Sequence, residues 1–235
     1  MITRRNVLLG GLAAMLGACS TRGDVGDPVV NVARPGSRTS IDDGGVLDQP
    51  NPEPAKVPES VVMVGDSISA LSEPALDLVL GAMGFQTVTI NAEPSRRIEV
   101  GRRNPTNGLD VVTFVAGASP PDMWVIALGT NDAGLYATDE EYQGLIDGIL
   151  AAIGNDVPLV WVNAYRNDHL DGCRQFNELL EETLDERGNA TIADWYQLCV
   201  DNSSAILTGD GVHPNNDGIL VFADTVRAAI ATQLA

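Results

Sequence analysis

Histidine is nearly absent from this chain: of 235 residues only His169 and His213 are histidines. Cysteine is scarce too. There are three, with no Cys-x-x-Cys and no Cys/His cluster at zinc spacing, which argues against a metal site and leaves no sign of a cofactor. Basic residues are few: 14 Lys plus Arg stand against 32 Asp plus Glu, for a formal net charge of −18. Such a chain repels nucleic acid and anionic membrane surfaces, so nucleic acid is not an expected partner. The acidity otherwise reads as a well-solvated surface. Internal repeats are missing as well.

What is present begins with a leader. "MITRRNVLLGGLAAMLGACS" has a basic start and an apolar run from Val7 to Ala18. That run is too short to span a bilayer as a mature helix and fits a signal peptide over residues 1–18. Its end, "LGAC", resembles the lipobox of bacterial lipoproteins, with Cys19 as the lipidated new N-terminus; an uncleaved anchor is the alternative. "TRR" resembles a twin-arginine export signal, although Val7 stands where phenylalanine is preferred. These features predict an exported protein, lipid-anchored at the outer face of the cytoplasmic membrane or in the cell envelope. Residues 19–58 are rich in Pro, Gly, Asp and Ser without helical or strand periodicity. They read as a disordered tether that at roughly 3 Å per residue reaches ~100 Å. In an exported protein the remaining cysteines, Cys173 and Cys199, are expected to form a disulfide, worth about 3.5 kcal/mol in the chain-entropy model. Two buried free thiols are the other reading.

The folded domain is expected over residues 59–235. "SVVMVG", "FQTVTINA", "MWVIALG" and "VPLVWVNA" are continuous apolar runs, and "ATIADW" is a weaker one. Runs of this kind suggest strands buried on both faces. Helical patterns fall at about 73–83, 139–153, 172–187 and 216–233. The alternation predicts an α/β fold with a parallel sheet between helical layers. Trp124, Trp161 and Trp195 lie in or beside strands and are expected in the core. Ligands of such sheets bind at the carboxyl ends of the strands. The residues there are "GDS" (65–67), "NAEPSRR" (91–97), "GTND" (129–132) and, before the last helix, "DGVHP" (210–214).

These residue types suit nucleophilic catalysis. A serine hydroxyl needs a base, histidine has the right proton affinity near neutrality, and a carboxylate on the second ring nitrogen fixes its tautomer. Ser67 is the candidate nucleophile, His213 the base and Asp210 its orienter. The Asp-x-x-His spacing lets both come from one turn. For the developing oxyanion the Ser67 backbone N–H, the Asn131 side-chain amide and a backbone N–H after strand two are candidate donors. Taken singly, Ser67 also suits a helix N-cap, Asn131 and Asp132 ordinary turn positions, and His213 a surface turn.

Taken together, in this order and at strand ends, "GDS", "GTND" and "DGVHP" resemble the serine, asparagine and Asp-x-x-His blocks of the SGNH, or GDSL-type, hydrolase family. The resemblance covers about residues 60–233. It implies a flavodoxin-like sheet of five parallel strands in the order 2-1-3-4-5, and metal-free ester hydrolysis or acyl transfer. The family's glycine donor after strand two is replaced here by Ser95. "WVIALGTND", "WVNAYR", "ADWY" and "DGVHP" are similar to the SGNH domain of cell-envelope O-acyltransferases. The resemblance therefore implies an esterase acting on small acyl esters of envelope carbohydrates. The alternatives are an acyltransferase fed by a membrane acyl-donor partner, or an inactive carbohydrate-binding domain.

Candidate substrate contacts are Asp66, Asp132, His169, Arg96 and Arg97. Four of the few basic residues, Arg96, Arg97, Arg102 and Arg103, crowd into "RRIEVGRR". Guanidinium groups there could grip an anionic substrate group in a bidentate fork. Pairing with nearby Asp or Glu is the other reading.

Overall fold

A computed structural model describes residues 57–100 and 106–235. The expected signal peptide, Cys19, nearly all of the tether, Arg102 and Arg103 lie outside the described residues. The chain alternates strand and helix. β1 (Ser60–Gly65) leads into α1 (Ser67–Ala82), and β2 (Thr87–Ala92) is followed by α2 (Gly108–Ala118). β3 (Met123–Ala127) precedes α3 (Asp139–Ile153), and β4 (Leu159–Val162) precedes α4 (Leu170–Arg187). β5 (Ala190–Ala193) runs through Asp194 into α5 (Trp195–Ile206), and α6 (Asn216–Gln233) closes the chain.

All strand pairs are parallel, in the order β2-β1-β3-β4-β5. Along β1, Val61 and Met63 face one layer while Val62 and Val64 face the other, so every side chain of the strand's centre is buried. The first layer packs Leu76 and Leu80 of α1, Trp195 of α5 and Phe222 and Val226 of α6. The second packs Val112 of α2, Ile146 and Ile149 of α3, and Phe176 and Leu180 of α4. Trp124, Trp161 and Trp195 are fully buried. At about 1.5–3 kcal/mol per large apolar side chain, these two layers are the main stabilising term.

Three helices differ from the sequence expectation. α1 starts at Ser67, ahead of the expected position near 73, and carries Pro74 in its interior. Pro74 sits on the exposed side, where a missing backbone N–H leaves its carbonyl partner open to water. α2 and α5 were not anticipated. The sequence of α2, "GLDVVTFVAGA", is rich in valine and glycine, both poor helix formers, and tertiary packing of Val111 and Val112 overrides that preference. α5 breaks helical geometry at Asn202 (φ −132°), which blurs its periodicity.

The expected disulfide is not formed. Cys173 and Cys199 are free and fully buried. Cys173 Sγ lies 4.0 Å from the Arg166 carbonyl, and Cys199 packs in the apolar layer with Trp195 and Ile206. Burial pushes the Cys173 thiol up to about 11 and raises that of Cys199 as well, so neither forms the thiolate that exchange chemistry requires. Peptide mapping after iodoacetamide treatment should find both cysteines unmodified in the folded protein and both alkylated after unfolding without reductant.

Asp66 caps α1 by accepting the Ile68 N–H at 2.9 Å. A carboxylate at a helix N-terminus is normally favoured in its charged form. Here burial wins: Asp66 is 1% exposed, and desolvation pushes its carboxyl up to about 7. The folded protein therefore keeps a proton on Asp66 between about pH 4 and 7 that the unfolded chain has released. Unfolding then releases a proton, and this group's contribution to stability falls as pH rises through that window. Relative to wild type, Asp66→Asn should gain stability, on the order of 3–4 kcal/mol in full, between pH 4 and pH 8. Denaturant unfolding at the two pH values reads the difference; a constant offset between the proteins would refute the assignment.

Candidate active site

The carboxyl ends of β1, β2 and β3 and the loop before α6 meet at one edge of the sheet. Ser67 is the first residue of α1. Gly65, just before it, allows the helix to start this close to the sheet: a Cβ there would lie 2.2 Å from Ser69 Oγ.

The loop before α6 is a closed turn. Leu207 and Pro214 form an antiparallel bridge, and the Thr208 N–H donates to the His213 carbonyl at 2.8 Å. Inside it, Asp210 Oδ1 accepts from the Val212 N–H (2.9 Å), the His213 N–H (3.0 Å) and the Thr208 hydroxyl (2.8 Å). Asp210 Oδ2 faces His213 Nδ1 at 2.7 Å, and His213 Nε2 faces Ser67 Oγ at 2.9 Å. The His213 ring bond, reinforced by the backbone donors, holds the Asp210 carboxyl well below the usual carboxylate range. It is therefore an anion at any working pH, and the ring nitrogen facing it carries the proton. Nε2 is left as an acceptor for the serine hydroxyl. A hydroxyl–imidazole–carboxylate relay of this geometry can move a proton off Ser67 Oγ.

Two backbone N–H groups at this edge of the sheet have no acceptor among the described residues. The Ser67 N–H, at the first helical position, has no intrahelical acceptor and no other acceptor among the described residues. The same holds for the Ser95 N–H. Ser95 is the third residue of the turn Glu93–Arg96, closed by the Arg96 N–H to the Glu93 carbonyl at 3.3 Å, and its φ is +62°. Pro94 followed by positive φ is the pattern of a type II turn, which favours glycine at the third position. A serine there costs on the order of 1 kcal/mol. Asn131 is differently engaged. Its amide gives one hydrogen bond to Asp66 Oδ2 (3.0 Å) and one to the Arg96 carbonyl (3.1 Å). Both amide hydrogens thus have protein acceptors, and an oxyanion would have to share one of them.

Among the expected substrate contacts, Arg96, Asp66 and Asp132 are corrected by burial, while Arg97 and His169 remain partly exposed. Arg96 is 1% exposed and spends its guanidinium on backbone carbonyls and Asn91. Asp66 serves as the α1 cap. Asp132 is fully buried, taking the Arg97 Nε–H at 3.1 Å and the Ile98 N–H at 3.0 Å, and desolvation still pushes its carboxyl up to about 6. Arg97 also donates to the Tyr136 hydroxyl at 2.8 Å and stacks 5.4 Å from that ring's centre. Its charge is met by Asp132, as the pairing alternative required. His169 packs against Gly134, where a Cβ would lie 2.2 Å from its Nδ1. No hydrogen bond joins it to Ser67, Asn131 or His213 among the described residues. Two contributors went unread in the sequence. Thr208 braces Asp210 at a Thr-x-Asp spacing open to an observant reading. The Asn167 N–H, which pins the turn through the Gly211 carbonyl at 3.1 Å, comes from a distant loop and left no signal. Among the described residues no group of three or more His, Cys, Asp or Glu side chains is placed to hold a metal ion.

Comparison with known proteins agrees with this layout. Residues 63–219, from β1 into the first turn of α6, match the model of the GDSL-like lipase/acylhydrolase family. No curated protein matches the chain. Among solved structures, the C-terminal catalytic domain of peptidoglycan O-acetyltransferase A (OatA) from Streptococcus pneumoniae, bearing a methylsulfonyl adduct, is 21% identical. The TM-score is 0.61, over 76% of this chain and 96% of that one. A G-D-S-L family lipolytic protein from Veillonella parvula is 15% identical (TM-score 0.59), over 73% of this chain and 98% of its own. The psychrotrophic esterase EstA from Pseudoalteromonas sp., inhibited by monoethylphosphonate, is 15% identical (TM-score 0.57), over 74% and 97%. At these identities the structures speak for the shared fold. With the family model matched over most of the described domain, the chain belongs to the GDSL-like lipase/acylhydrolase family, the SGNH hydrolases, and is an enzyme that hydrolyses esters or transfers acyl groups.

Proposed function

We propose that the protein is a serine esterase that removes small acyl groups, of the acetyl type, from carbohydrate esters of the cell envelope. The observation that carries this reading is the continuous relay from Asp210 through His213 to Ser67, at 2.7 and 2.9 Å. Ser67 Oγ attacks the ester carbonyl carbon while His213 Nε2 takes its proton. Asp210 steadies the resulting imidazolium. The Ser67 and Ser95 N–H groups, with Asn131, meet the oxyanion of the tetrahedral intermediate. As that intermediate collapses, the C–O bond to the sugar breaks and His213 returns the proton to the departing oxygen, leaving an acyl ester on Ser67. Water, deprotonated by His213, then attacks the acyl carbon; the acid leaves and Ser67 regains its proton. The envelope assignment is supported by the likeness to the OatA domain, named for peptidoglycan O-acetyl transfer, and by the export-like leader. That likeness also favours a second reading, in which a sugar hydroxyl replaces water in the last step.

Ser67→Ala and His213→Ala should each lower kcat for a neutral aryl acetate by roughly 10⁴-fold or more, and Asp210→Ala by less, because the three act as a unit. Near-wild-type turnover by Ser67→Ala would overturn the mechanism. Product analysis with added glycan then separates the two readings. Release chiefly as free acid is expected of the esterase, whereas a dominant glycan ester would assign acyl transfer.

The Ser95 donor has its own check. Ser95→Gly keeps the N–H and relaxes the backbone, so it should retain or raise kcat and add about 0.5–1 kcal/mol of stability. Ser95→Pro deletes the donor and cannot adopt positive φ, and kcat should fall by about 10²–10³-fold. Full activity in Ser95→Pro would move the donor elsewhere.

A further inference from the structure

Arg96 is a cation placed where a cation is costly. Its side chain is 1% exposed, and the nearest carboxylate, Glu93, lies 3.9 Å away on a half-exposed side chain. Burying a charge is unfavourable unless it is paired and its donors are well used; here Glu93 and Asp66 offset it only partly, and the donors are met mainly by carbonyl oxygens. Nε–H donates to the Thr106 carbonyl at 3.0 Å. One terminal nitrogen donates to the Gly65 carbonyl at 2.9 Å and the Asn91 carbonyl at 2.5 Å, and the other to Asn91 Oδ1 at 2.8 Å. The acceptors are spread over the fold in a telling way. Gly65 ends β1 directly before the Asp66–Ser67 step. Asn91 lies in β2 just ahead of the turn that holds Ser95. Thr106 precedes α2. The Arg96 backbone carbonyl, in turn, accepts the Asn131 amide from the loop after β3. One residue thus ties together the three segments that supply the oxyanion donors.

We infer that Arg96 is a positioning residue for the oxyanion side of the site: its buried fork fixes the distances between the Ser67 N–H, the Ser95 N–H and the Asn131 amide, without touching substrate. This inference rests on the proposed roles of Ser67, Ser95 and Asn131. A planar guanidinium with donors at fixed angles can hold four oxygens in one plane, whereas the compact ammonium of lysine cannot. Misplacing donors by about 1 Å costs on the order of 10²-fold in rate.

The test is steady-state kinetics of Arg96→Lys on a neutral aryl acetate, with thermal unfolding followed in parallel. The expected result is a folded variant whose kcat falls on the order of 10²-fold and whose KM stays within about twofold of wild type, since only transition-state contacts are lost. Asn131→Ala added to Arg96→Lys should cost little more than the worse single variant, as coupled groups do. Asn91→Ala removes one anchor of the fork while leaving Arg96 in place, and should lower kcat by about tenfold with KM unchanged; it carries the test if Arg96→Lys does not fold. A folded Arg96→Lys or Asn91→Ala with wild-type kcat and only a lower melting temperature would overturn the inference. So would losses that multiply with that of Asn131→Ala. Ser67→Ala in the same assay keeps the two ideas apart. If it stays active, the proposed mechanism fails; if it is inactive while the Arg96 and Asn91 variants are unaffected, only the positioning role fails.

Discussion

Parallel pairing of β1 with both β2 and β3 is the constraint on which everything functional here depends. It sends the carboxyl ends of all five strands to the same edge. A parallel sheet needs crossovers, so each strand at that edge must hand the chain to a loop or a helix start. The hydroxyl of Ser67, the amide of Asn131 and the N–H of Ser95 are therefore neighbours by topology before any side chain is chosen. His213 joins them because α6 returns beside α1 in the same layer, with its preceding turn at the same edge.

The charges within the site divide into two kinds with opposite consequences. Asp210 is about half exposed and richly hydrogen-bonded, so its carboxyl is held low and it stays an anion opposite the imidazole. Asp66 and Asp132 are almost wholly buried, and desolvation raises both despite their donors. Asp132 is compensated by Arg97, whereas Asp66 is hydrogen-bonded by the Ile68 N–H and the Asn131 amide and feels the His213 and Arg96 charges only at longer range. The exposed carboxylate thus stands in the proposed proton relay, while the buried ones set the loops around it. Arg96 belongs to that second group, and Arg97, about a quarter exposed, joins it through its pairing with Asp132. Their sequence position beside the oxyanion turn made them look like ligands for an anionic substrate, and only burial and partners distinguish a ligand from a brace.

Legibility in the sequence followed this division. The strands were readable because a doubly covered parallel sheet leaves continuous apolar runs such as "MWVIALG". The proposed relay residues stand out in the sequence because such chemistry needs particular side chains at strand ends, and a chain with two histidines offers few choices. α2 was unreadable because its valines and glycines favour other conformations and packing alone makes it helical. The roles of Arg96, Asp132 and Asn167 were unreadable for a different reason: each depends on partners far along the chain. Asp132 takes the Ile98 N–H, and Arg96 takes Gly65 and Thr106 as acceptors. The Cys173–Cys199 pairing inferred from compartment is not made: both thiols are free and buried, Cys199 in the apolar layer and Cys173 beside the Arg166 carbonyl.

Ser95 and Arg96, adjacent in sequence, are best understood together. A serine held at φ +62° is a strained residue, and strain of that kind persists only where the surroundings over-determine the backbone. Left to itself, the turn Glu93–Arg96 would favour negative φ at Ser95 and turn its N–H in another direction. The next residue prevents this. With its guanidinium locked to the ends of β1 and β2 and its carbonyl taken by Asn131, Arg96 has almost no freedom to move, and the turn that precedes it is closed by its own N–H. A glycine in place of Ser95 would hold the turn without strain and would need less of an anchor. The serine makes the anchor necessary, and the buried cation, costly by itself, is stabilised by the carbonyls it must hold in place. On this reading, the geometry of the proposed oxyanion side follows from two locally unfavourable choices that are consistent only with each other.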